Sequence, residues 1–78
     1  MYKGTMAFLQ PGQQGLVATL EHRGRGIIAR LRDLGITEGS LVECVGISPL
    51  GDPAAYRIKG AVIALRKTDA ACVFLAGK

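Results

Sequence analysis

A chain of 78 residues, 49% hydrophobic and 21% charged, supports one domain with a thin core, since a domain this short buries only about 60% of its unfolded surface. That composition excludes a disordered segment and leaves little volume for a deep catalytic cavity. The +4 formal charge is spread along the chain without interleaved aromatics. It reads as a solvated surface, or as a docking face for an acidic or membrane-associated partner.

Cys44 and Cys72 lie in apolar runs far apart. They are too few for the disulfide framework of a small secreted scaffold and read as buried, reduced thiols. The N-terminal residues lack the apolar stretch of a signal peptide. No run approaches the roughly 18 apolar residues of a membrane span. The expectation is a soluble, cytoplasmic protein with no direct membrane insertion.

Residues 5–9 allow a single helical turn, stopped by Gln10, Pro11 and Gly12. Residues 16–20, β-branched and bounded by Gly15, read as the first strand. The one convincing helix lies between Gly26 and Gly35. There Ile27, Leu31 and Leu34 recur at the spacing of an apolar stripe with Ile28 beside them, which marks them as core. Arg30, Arg32 and Asp33 take the other face. Gly35 suits the left-handed position after the helix, and Ile36 packs back on Leu31, as in a Schellman ending.

A second strand covers residues 41–47, with Val42 and Cys44 on one side and Glu43 on the other. Residues 48–53 are too rich in breakers to be regular. Residues 54–59 alternate, Tyr56 and Ile58 inward against Arg57 and Lys59 outward. Gly60 and Ala61 turn the chain into a strand at 62–65. Residues 66–71 suit a short helical turn weakly capped by Thr68 or Asp69, and residues 72–75 form the last strand. The predicted fold is mainly β: a small, partly open SH3-like five-stranded barrel with one short α-helix inserted after the first strand, a single domain over residues 1–78. Barrels of this kind manage their sheet edges by near-closure, and the edges that stay exposed leave a homodimer open.

Four landmarks stand in order: Pro11-Gly12 with Gly15; Arg30-Leu31-Arg32-Asp33-Leu34-Gly35-Ile36 with Gly39; Pro49-Leu50-Gly51-Asp52-Pro53; and Gly60 with Ala64-Leu65-Arg66 and Ala70. From about Gln10 to Leu75 this series resembles the FeoA family, the small cytoplasmic companions of the bacterial ferrous-iron permease FeoB. Residues 1–5 lie outside the match and suggest no role. The resemblance implies an SH3-like binding module that aids iron transport by contacting the cytoplasmic domain of the permease, with no bound cofactor. The same module is also appended to some metal-dependent repressors.

Two readings of the 48–53 loop stand side by side. In one it is a rigid turn, with Gly51 at positive φ, Asp52 folded back onto loop amides, and Pro49 and Pro53 stiffening the flanks. In the other, Leu50, Gly51 and Asp52 form a preformed recognition surface. Arg30 and Arg32, with Arg23 and Arg25, form the densest basic cluster, able to meet an acidic patch on a partner. Arg66 is expected to hold backbone carbonyls or to pair with Asp69.

No catalytic constellation is present, so the chain does not read as an enzyme. Its single histidine, His22, has no nucleophile nearby in sequence. A metal needs about three converging ligands, and Glu21, His22, Glu43, Cys44 and Asp52 show no such spacing. Gly24-Arg25-Gly26 is a weak anion-binding signal without the rest of a phosphate loop. The alternatives are an SH3-like nucleic-acid-binding barrel and a regulatory module cut from a metal-dependent repressor. The first needs base-stacking aromatics on a basic face, and with only Tyr2, Phe8, Tyr56 and Phe74 available a nucleic-acid partner is not expected. The second lacks a DNA-binding helix-turn-helix.

Overall fold

Tight turns and period-two alternation build one antiparallel sheet in the computed structural model, which describes residues 2–22 and 26–77. Its strands are β1 Tyr2–Thr5, β2 Gln14–Leu20, β3 Leu41–Ile47, β4 Ala54–Ile58, β5 Ala61–Leu65 and β6 Val73–Ala76. They lie in the order β1-β6-β2-β3-β4-β5, so β1 and β5 are the two edges. A 3₁₀ turn at Met6–Phe8 follows β1, helix α1 (Ile27–Asp33) connects β2 to β3, and helix α2 (Lys67–Ala70) connects β5 to β6.

The mainly β class and all five expected strands are present, and the 3₁₀ turn falls within residues 5–9. The strand count is six because Tyr2–Thr5 pairs antiparallel with β6. Tyr2–Thr5, within the stretch whose sequence suggested no role, thus forms an edge of the sheet, and α1 follows the second strand rather than the first.

Alternation places the core where it was expected. Val42 and Cys44 of β3 and Ala54, Tyr56 and Ile58 of β4 are buried, while Arg57 is exposed. They share one cluster with Met6, Val17, Leu31, Ile36, Leu65, Val73 and Leu75. Tyr56, on β4, donates its hydroxyl hydrogen bond to the Met6 carbonyl at 3.3 Å, which ties the sheet to the 3₁₀ turn across the core. Burial pushes the Tyr56 phenol up to about 12, because the charged form is the one that desolvation disfavours. Cys44 and Cys72 are free and buried, and burial raises the Cys72 thiol above its ordinary value.

Helix α1 ends as its sequence requires. Gly35 takes φ 98°, a region closed to most side chains. Its N–H donates to the Arg32 carbonyl at 2.9 Å, and the Ile36 N–H to the Leu31 carbonyl at 3.0 Å, the paired bonds of a Schellman motif. Ile36 and Leu31 are fully buried. Leu34, expected in the core, is 39% exposed. It is the C-cap residue of a seven-residue helix, so the chain turns away before the apolar stripe reaches it.

Candidate functional site

The connection from β3 to β4 is closed by its own backbone. Gly51 donates its N–H to the Ser48 carbonyl at 2.8 Å, and Ser48 donates its N–H to the Pro53 carbonyl at 3.1 Å. The first bond makes a β-turn with Ser48, Pro49, Leu50 and Gly51 at its four positions. Serine first, proline second and glycine fourth is the pattern of a type I turn. Leu50 is not among the described residues at positive φ, which excludes type II. Gly51, at φ 88°, then reverses the chain as the positive-φ expectation requires. The Asp52–Pro53 peptide is cis.

Side chains brace this loop from two directions. The Ser48 hydroxyl donates to the Asp52 carbonyl at 2.9 Å. The Asp52 carboxylate accepts the backbone N–H of Lys67 at 2.9 Å. This corrects the expectation that Asp52 folds back onto loop amides: it reaches to the first turn of α2, where an N–H has no intrahelical acceptor. Neither Thr68 nor Asp69 caps α2. Its N-cap residue is Arg66, with no side-chain cap bond, and the acceptor comes from Asp52, fifteen positions away. Leu50 stands at the tip, 95% exposed.

Helix α2 carries the bracing one step further. Asp69 accepts from Arg30 of α1 at 3.2 Å, so the Arg66–Asp69 pair, one of the two roles open to Arg66, is not formed. Leu50, Gly51, Asp52 and Arg30 therefore belong to one connected unit, running from the loop through α2 to α1. Arg32 does not join it. Two positions along a helix turn a side chain to a different face, and Arg32 forms a bidentate pair with Glu38 at 2.7 and 2.9 Å. Those bonds hold the exposed Glu38 carboxyl down at about 2 and raise the Arg32 guanidinium above its ordinary value. Arg23 and Arg25 lie outside the described residues, as does the Gly24-Arg25 part of the anion-binding signal.

Among the described residues no three His, Cys, Asp or Glu side chains converge as a metal site would require. Likewise, no helix there is long and apolar enough to cross a membrane. Sequence reasoning missed the links from Asp52 to Lys67 and from Arg30 to Asp69. The one available signal was the acidic residue between Gly51 and Pro53, ahead of an unpaired helix start.

The FeoA domain family matches residues 4–76, a longer stretch than the 10–75 that the landmarks span. The chain is 36% identical over 64 residues to a fusion of Fe(2+) transport protein A with the Fe(2+) transporter FeoB from Porphyromonas gingivalis. That stretch is 81% of this chain and 7% of the fusion protein's length. The solution structure of a FeoA-like protein from Clostridium acetobutylicum superposes with a TM-score of 0.87 at 22% identity, over 97% of this chain and 87% of the other. FeoA from Stenotrophomonas maltophilia, crystallised with zinc and described as a prokaryotic SH3-domain protein, superposes with a TM-score of 0.82 at 28% identity, over 92% of this chain and 88% of the other.

Proposed function

The chain belongs to the FeoA family, and from that premise we propose that it is an accessory of bacterial ferrous-iron uptake that binds the cytoplasmic domain of a FeoB-type permease and modulates it through protein–protein contacts. FeoA is a small, transport-related accessory domain rather than a known enzyme family. The observation that carries the proposal is the fusion of a related domain to the transporter FeoB within one polypeptide. A covalent link holds two partners at an effective concentration of about millimolar, and such an arrangement serves domains that work in contact.

On this chain the contact surface we propose is the tip of the 48–53 loop, with Leu50, Gly51 and Asp52, flanked by Arg30. The support is physical. A large apolar side chain is held in water on a loop already braced through Ser48, Asp52 and α2. A preformed loop loses little conformational freedom on docking, and one exposed anchor is the usual form of an interface hot spot. Arg32 stays in the proposed surface as a rim residue, its charge already shared with Glu38.

Co-purification with the permease tests this directly, wild type against Leu50→Ala. Loss of an anchor contact is expected to weaken binding about tenfold or more. Ferrous uptake should also fall when the gene is deleted. Undiminished binding by the variant would remove the loop from the surface, and unimpaired uptake in the deletion strain would count against the accessory role itself.

A further inference from the structure

The β5 edge of the sheet lies outside the proposed loop surface. β5 pairs with β4 alone, in an unbroken register from Ile58 opposite Ala61 to Ala54 opposite Leu65. The two strands are joined by Lys59 and Gly60, both at positive φ (51° and 84°), the signature of a type I′ two-residue turn. Such a turn makes Ile58 and Ala61 a hydrogen-bonded pair. Bonded and non-bonded pairs then alternate along the ladder. Ala61, Ile63 and Leu65 therefore turn their N–H and C=O toward β4. Val62 and Ala64 turn theirs away, to the open side, where no backbone partner exists among the described residues.

The side chains make this edge unusual. Natural edges are blunted by internal charges, prolines or bulges. β5 reads Ala-Val-Ile-Ala-Leu, with none of these. Val62 is 55% exposed, and Ala64 is exposed. Charge appears only beyond the ends: Lys59 before the strand, Arg66 and Lys67 after it, all exposed. None of the three is in an ion pair among the described residues. The carboxylates near the far end are engaged elsewhere, Asp52 on the Lys67 N–H and Asp69 on Arg30.

We propose that the free edge of β5 is a strand-addition site for an extended protein segment with apolar residues at its centre and acidic residues at both ends. Main-chain bonds to Val62 and Ala64 supply the pairing, and the exposed Val62 and Ala64 side chains contribute the apolar surface. The flanking cations select the guest. They also disfavour a second copy of this chain, because antiparallel pairing of β5 with itself would set Lys59 beside Arg66 and Lys67 of the other copy. The inference does not depend on which protein presents the segment, nor on the loop surface proposed above.

The test is amide hydrogen exchange by NMR on the full chain with a synthetic peptide, Glu-Asp-Glu-Val-Thr-Val-Glu-Asp-Glu, and its counterpart with lysine at every acidic position. The acidic peptide is expected to slow exchange at the Val62 and Ala64 amides by about tenfold or more, with binding that weakens as salt rises. Val62→Pro removes one outward N–H without touching the β4 ladder, a place where edge strands tolerate proline. It should weaken binding about fivefold to tenfold with the circular dichroism spectrum retained. Should that variant fail to fold, Lys59→Glu with Arg66→Glu lies outside the strand and should reverse the preference toward the lysine peptide. Leu50→Ala should leave peptide binding unchanged. Equal binding of both peptides, unchanged exchange at Val62 and Ala64, or dimerisation through β5 without peptide would each overturn the proposal.

Discussion

β4 is entered and left by two very different connections. At its end, Lys59 and Gly60 turn the chain in two residues, held by backbone conformation alone at φ 51° and 84°. At its start, residues 48–53 take six residues to join two antiparallel strands of the same sheet. They are held by a serine hydroxyl, an aspartate reaching α2 and two backbone bonds. The short turn does what the topology needs. The long one exceeds it, and what the extra length holds in place is an exposed leucine. A connection longer than its topology needs, and braced from outside itself, is what the contact surface proposed above requires.

The largest expected effect lies in the strand that both connections serve. Tyr56→Ala should cost about 3–5 kcal/mol in chemical denaturation, the range for removing a buried aromatic, since Tyr56 is only 1% exposed. The same side chain gives an alkaline signature. Its phenol is raised from the ordinary 10.0 to about 12, so the stability it contributes is complete below 10 and lost as pH rises through about 12. An ultraviolet titration that finds every tyrosine ionising near 10 in the folded chain would show that Tyr56 is not buried as described.

Next come the two connections themselves. Gly60→Val forces a β-branched side chain to φ 84° and should cost about 1–2 kcal/mol. Because the turn fixes the register of β4 and β5, the loss should appear as a lower global midpoint. Asp52→Ala removes the acceptor of the Lys67 N–H and should cost about 1 kcal/mol, as losing a helix N-cap does. That loss should be local, with faster amide exchange at Lys67 and the 48–53 loop and little change in β5. If Asp52→Ala lowers the midpoint as much as Gly60→Val, the loop is part of the folding framework, and the contrast between the two connections fails.

How much of this was legible in the sequence follows from distance along the chain. The Schellman end of α1 is written in Gly35 and Ile36, because all its bonds fall within six residues. The inward set of β4 is written in its alternation. By contrast, β1 could not be read, since Tyr2–Thr5 is short and its partner β6 lies at the opposite end of the chain. The anchors of the candidate site were equally hidden. Asp52 and Lys67 are fifteen residues apart, and Arg30 and Asp69 thirty-nine. Leu50 was legible as an exposed loop residue, and it is 95% exposed; what could not be read was how its loop is braced. Arg30 and Arg32 look equivalent in sequence, and only the helix phase separates them.

That separation is tested by the smallest effect. The Glu38 carboxyl is lowered from its ordinary 4.5 to about 2 by its bonds to Arg32. A lowered folded-state value means that the pair's contribution is present above the ordinary value and is lost as pH falls through about 2. Both groups are exposed, so solvent and salt screen the pair and the stability change between those pH values should be slight. The informative readout is the site itself. A carbon-detected titration of the Glu38 carboxyl should show a midpoint near 2 in the wild type, moving back toward 4.5 in Arg32→Ala. Such a result keeps Arg32 committed to Glu38 and leaves Arg30 as the arginine tied to the loop unit through Asp69. A wild-type midpoint near 4.5 would show that Glu38 does not hold Arg32, leaving its charge free on a face of α1 other than the one that carries Arg30.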